Sequence, residues 1–106
     1  MQPCVYIMAS KRHGTIYIGV TSDLPSREWA HWRRADPKAF TAQYDARRLV
    51  WFEHHDTMAE AIQREKSLKR WYRNWKIALI EKTNPHWHPL DPNTGELILT
   101  MINGSI

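Results

Sequence analysis

Glu65 is the position that packing alone explains least. It lies four residues after Ala61, three after Ile62 and three before Leu68, so it interrupts the apolar stripe of its helix. A carboxylate there is costly unless it meets a cation, hydrogen bonds or a metal ion. It is therefore either a functional acid or a boundary glutamate paired with Arg64, Lys69 or Arg27. Two phenols come next. Tyr6 and Tyr17 lie on two short β-rich runs, and period-2 alternation sets both on the face opposite the predicted core. Tyrosines also suit half-buried strands for plain packing reasons. Gly19, two residues after Tyr17, shares that face; it marks either a bulge or a place where another group approaches the backbone. Arg27 offers a forked donor for a phosphate or a partner for a surface acid such as Glu28. His31, four residues on, shares a helical face with Arg27. It can hold water or take a proton near neutral pH, or be a satisfied core histidine beside Trp29 and Trp32.

Charge adds a second signal. The 106 residues carry a formal charge of +4, which many proteins share, but its distribution is uneven. Arg64, Lys66, Lys69, Arg70, Arg73 and Lys76 face only Glu65 within residues 63–76, a net of +5. This is either the footprint of a phosphate backbone or a solvated helix face. With Trp71, Tyr72 and Trp75 the same segment invites a weaker membrane-surface reading. His54-His55 and His86-x-His88 lack a carboxylate or cysteine partner at ligand spacing. No P-loop, dinucleotide fingerprint or zincin motif is present.

The elements that must position these groups follow from local patterns. Residues 4–9 and 15–20 read as a β-hairpin whose turn contains Gly14, a residue able to take positive φ. Val5, Ile7 and Ala9 face the core with Ile16, Ile18 and Val20. Ser22 or Asp23 caps a helix running to about Ala35, with Pro25 in its first turn. A third strand covers residues 47–53. Thr57 and Glu60 form a capping-box pattern before a helix that reaches residue 72. Asn74 caps a shorter helix over residues 75–82, and residues 97–101 suit a short strand.

The order is ββ-α-β-α-α: an α/β fold with a small three-stranded sheet, mixed or antiparallel, flanked by helices. The length allows one domain. Residues 1–90 form its body, and residues 91–106 a tail packed on it. A single cysteine, Cys4, excludes an internal disulfide and a Cys-rich zinc site. No apolar run spans a membrane or reads as a secretory signal, so the expectation is a cytoplasmic protein, either monomer or weak homodimer.

Taken in order, Cys4-Val5-Tyr6, Tyr17-Ile18-Gly19, Arg27, His31 and Glu65 resemble the GIY-YIG nuclease superfamily, especially its small stand-alone bacterial members. The likeness spans residues 3–90 and is strongest in YIGVTSDLPSREWAHWRR and AIQREKSLKRWYRNWKIALIEKTNPHW. The first motif departs from the family pattern, reading CVY. The resemblance implies a metal-dependent endonuclease that hydrolyses DNA phosphodiesters, structure-directed or weakly sequence-specific, leaving a 5′-phosphate and a 3′-hydroxyl. It assigns Mg²⁺ or Mn²⁺ to Glu65, a phosphate oxygen to Arg27, the attacking water to Tyr17, and supporting roles to Tyr6 and His31. The family's later asparagine corresponds to Asn84 or Asn74. DNA is the implied partner, with RNA open, and the basic run would contact its backbone. A nucleic-acid-binding module without turnover, or a protein-interaction domain, are the competing readings.

Overall fold

The computed structural model describes residues 2–27 and 45–98. Three strands form one antiparallel sheet: β1 (Cys4–Ala9), β2 (Ile16–Thr21) and β3 (Arg48–His54). Their spatial order is β2-β1-β3, so the first strand in the chain is the central one. The alternation pattern anticipates a hairpin, and β1 and β2 pair as one, from Cys4 with Thr21 to Ala9 with Ile16. The sheet is antiparallel throughout, which decides between the two sheet types the sequence allows.

The expectation of a non-core face behind the hairpin is corrected. Every residue of β1 is buried. Val5, Ile7 and Ala9 pack with Ile18, Val50, Trp51, Ala61, Leu68, Ile80 and Trp87 on one side. Cys4, Tyr6 and Met8 pack with Leu24, Ala46, Leu49 and Leu90 on the other. A near-continuous apolar strand is what a sheet covered on both faces requires. Burial also pushes the Cys4 thiol up to about 11, so the one cysteine is a packing residue.

The hairpin turn is tighter than its glycine alone suggests. The positive φ falls on His13, at 58°, rather than on Gly14. Gly14 is needed for space: a Cβ there would meet Lys11 Cγ at 2.8 Å. Asp23 caps the helical turn at residues 24–27, its carboxylate accepting from the Ser26 N–H at 3.4 Å. The remainder of that predicted helix, with His31, lies outside the described residues.

After β3, the helix α1 (Met58–Arg70) starts where Thr57 accepts from the Glu60 N–H at 3.2 Å. It buries Ala61 and Leu68 against the sheet. It stops at Arg70, short of the expected residue 72, because Trp71 and Tyr72 are both extended, with ψ of 149° and 151°. The second helix, α2 (Arg73–Thr83), has Tyr72 as its N-cap residue with no side-chain cap, so Asn74 sits inside its first turn rather than capping it. No described helix is long and apolar enough to cross a membrane.

Asn84 explains how the sheet tolerates its irregularity. The β1–β3 register shifts between Ile7 and Met8, leaving Val50 as the extra residue. Asn84 Nδ2 donates to the Val50 carbonyl at 3.1 Å and to the His88 carbonyl at 2.8 Å. Its Oδ1 accepts from the His88 N–H at 2.9 Å. The chain beyond α2 then returns along β3, where the Leu90 N–H donates to the Leu49 carbonyl at 2.8 Å. The expected strand at residues 97–101 is represented in the described part by a single bridge, Leu90 with Leu97. Replacing the buried amide leaves backbone groups unpaired, at about 1–3 kcal/mol. Asn84→Ala should therefore lower the urea midpoint by that amount of stability without altering the slope of the transition.

Candidate active site

Tyr6 lies opposite Gly19 in the β1–β2 ladder, and Tyr17 lies opposite Met8. The phenols are thus diagonal cross-strand neighbours. Their ring centroids are 6.2 Å apart at 45°. The missing side chain of Gly19 makes this possible. A Cβ there would stand 2.5 Å from Tyr6 Cζ and 3.0 Å from Tyr17 Cε2. The sequence-level reading of Gly19 as a place of close approach therefore holds, and the approaching group is the Tyr6 ring.

The two phenols have different surroundings. Tyr6 is 2% exposed. Burial raises its proton affinity well above the ordinary tyrosine range; Tyr17 adds to this by its charge and by a hydrogen bond, while the Arg27 charge opposes it. Tyr6 is consequently a fixed neutral phenol. Tyr17 lies on the edge strand β2 and lines an open hollow of about 280 Å³ with Ile16, Ile18, Lys69 and Lys76. Arg27 is exposed and lines a different hollow with Thr21, Asp23 and Ser26.

Glu65 lies on α1, one turn before Lys69. Its side chain is 15% exposed, and its carboxylate meets Lys69 Nζ at 3.3 Å. Of the three partners its spacing allows, the ion pair is with Lys69. That lysine is 52% exposed and also lines the Tyr17 hollow, so it joins the acid to the phenol side of the site. A single hard carboxylate with an exposed, displaceable cation suits an ion that keeps most of its own water, as Mg²⁺ does. Among the described residues no three His, Cys, Asp or Glu side chains gather as a metal site. His86 and His88 stack at 5.7 Å without a third ligand group.

The basic run divides by structural duty. Lys69 and Lys76 turn to the hollow, and Lys76 Nζ also donates to the Lys69 carbonyl at 3.4 Å. Lys66 and Arg70 are exposed. Arg64 donates to Glu53 at 3.0 Å and lies over the Trp71 ring at 5.4 Å. Arg73 clamps the hairpin turn, donating to the His13 and Gly14 carbonyls at 2.8 and 2.6 Å. The same turn is held by His13 against Glu81 at 2.8 Å, where the Trp87 indole N–H also donates. Sequence spacing gives no signal for these links, which join residues far apart in the chain. Asn84 is engaged in the core and does not join the Tyr6–Tyr17 cluster.

The sequence model of the GIY-YIG catalytic domain matches residues 2–78, more than half of the chain, and includes both tyrosines, Arg27, His31 and Glu65. The chain belongs to the GIY-YIG family, a nuclease family whose substrates are nucleic acids and whose members typically use divalent metals. No curated protein and no solved structure matches the chain.

The Gly19 contact gives a direct test. Gly19→Ala forces the Tyr6 ring away from β2, and overpacking of this kind costs about 1–3 kcal/mol. The melting temperature should fall. Tyr6→Phe, which keeps the ring, should not restore the loss when combined with Gly19→Ala.

Proposed function

We propose that this chain is a divalent-metal-dependent endonuclease acting on DNA. It hydrolyses a phosphodiester, structure-directed or with weak sequence preference, to a 5′-phosphate and a 3′-hydroxyl. The observation that supports the reading is the pairing of a buried phenol with an edge phenol, the latter lining a hollow with Lys69, the counter-ion of Glu65.

In this reading Arg27 binds a non-bridging oxygen of the scissile phosphate through its fork. Lys69 and Lys76 hold neighbouring phosphates and lead the strand past Tyr17. Tyr6 keeps its proton, so it acts as a donor that fixes the position of Tyr17 rather than as the base. Tyr17, reachable from solvent at the sheet edge, orients the attacking water and takes its proton. His31 supports that water. Glu65 would hold Mg²⁺ or Mn²⁺ after Lys69 swings from its carboxylate towards a phosphate. The bound ion would supply positive charge to the phosphate oxygens as the pentavalent centre forms. Lys66 and Arg70, both exposed, extend the phosphate-binding surface, while Arg64 and Arg73 contribute to it less because protein acceptors already hold them. Contacts of this kind position a duplex without reading its bases.

The Lys69–Glu65 pair also supports a second reading, in which an internal cation replaces the metal and the chain binds DNA without cutting it. Glu65→Gln separates the two. For the nuclease, cleavage of nicked, flapped or branched DNA in Mn²⁺ should fall by at least about a hundredfold, with duplex affinity retained. Unchanged cleavage by purified Glu65→Gln would exclude the metal role, and no cleavage by the parent chain on any of these substrates or on RNA would favour the binding module.

Tyr17→Phe removes the hydroxyl that takes the proton from the attacking water, so it should abolish most cleavage while leaving duplex affinity unchanged. Undiminished cleavage by Tyr17→Phe would remove Tyr17 from the role of base.

A further inference from the structure

Tyr72 and Trp75 are 69% and 51% exposed, and they lie together. Their ring centroids are 4.9 Å apart at 81°, and Trp75 meets Trp71 at 6.2 Å and 82°. The three rings therefore brace one another edge to face at the α1–α2 junction. The extended backbone at Trp71 and Tyr72 presents them there. Scattered exposed aromatics need no explanation, whereas a braced cluster left in water fits a ligand with a flat apolar face.

The surroundings of the cluster specify the charge of that ligand. Arg64 covers Trp71, and Lys76 follows Trp75 and reaches back to the Lys69 carbonyl. The first turn of α2 contains no acidic residue. Lys69 and Lys76 also line the Tyr17 hollow, and Lys76 is the residue next to Trp75 in the first turn of α2. Flat rings beside phosphate-binding cations form the arrangement that takes unpaired nucleic acid: cations track the backbone and rings stack on bases.

We propose that Tyr72, braced edge to face by Trp75, stacks an unpaired base of a DNA strand whose phosphates run along Lys69 and Lys76. The substrate is then DNA with a single-stranded segment beside the cut, as in a flap or a branch. This placement of the cut rests on the nuclease reading of the Tyr17 hollow, whereas base stacking itself does not require turnover.

The test compares the parent chain with Tyr72→Ala/Trp75→Ala by fluorescence polarisation in metal-free buffer. The probes are a labelled single-stranded oligonucleotide, the same strand made abasic throughout, a blunt duplex, and anionic phospholipid vesicles. Stacking predicts about a five- to hundredfold loss of affinity for the single strand. Affinity for the abasic strand and the duplex should stay unchanged, with the salt dependence preserved. Tyr72→Phe/Trp75→Phe should retain most single-strand binding. An undiminished single-strand affinity, an equal loss on abasic strand and duplex, no single-strand binding by the parent, or a loss confined to vesicles overturns the platform. If circular dichroism shows the double variant unfolded, Tyr72→Ala alone decides on the same criteria, since that ring is the more exposed. Parent protein that stacks single strands but never cuts removes the nuclease reading alone. Parent protein that cuts branched DNA while the variant binds single strands normally removes the platform alone.

Discussion

A tyrosine in a strand with no exposed face constrains everything around it. β1 is central in the sheet and packed on both sides, so Tyr6 cannot send its hydroxyl to bulk water as a surface tyrosine does. Its ring needs room that only Gly19 leaves, and its hydroxyl meets Tyr17. The core and the candidate site are therefore continuous: one buried ring belongs to both. This arrangement assigns different work to two chemically identical groups. Burial holds the proton on Tyr6, and the position of Tyr17 on an edge strand gives it access to solvent and to two lysines.

The cations are organised by the helices in a comparable division. Along one basic segment, Arg64 and Arg73 fasten parts of the fold, while Lys69 and Lys76 turn towards Tyr17. Formal charge over residues 63–76 thus overstates the free phosphate-binding capacity of the segment. Lys69 has two roles, as counter-ion of Glu65 and as a wall of the hollow. The pairing lets a charged acid stay largely out of water with its counter-ion one turn along the same helix.

The hairpin, the Asp23 and Thr57 caps and the order of elements were legible because each depends on neighbours in sequence. Gly19 was legible for the same reason: a glycine beside a tyrosine in a strand signals close approach. The second core face was not, since alternation identifies two faces without saying what covers the other one. Leu24, Ala46 and Leu90 come from three separate places outside the sheet to cover it. The end of α1 at Arg70 was missed because Trp71 and Tyr72 continue the helical spacing, yet both adopt extended backbone. Asn84 carried a family-like signal, but its amide serves the bulge at Val50, a register feature that no local pattern encodes. Glu65 was conspicuous as a break in an apolar stripe, and the choice of Lys69 over Arg64 depended on where Glu53 lay.

The strand order also bears on how the chain reaches its native state. β2 follows β1 across a short turn, so that pairing closes with little loss of loop entropy. On the opposite edge Tyr6 must find Phe52, far along the chain. Non-local pairing of this kind slows folding. Until β3 arrives, a nascent chain carries an entirely apolar strand with one row of unpaired amides and carbonyls, the type of edge that recruits other chains. A newly made molecule is therefore most prone to aggregate in the interval between the emergence of the hairpin and the docking of residues 48–54.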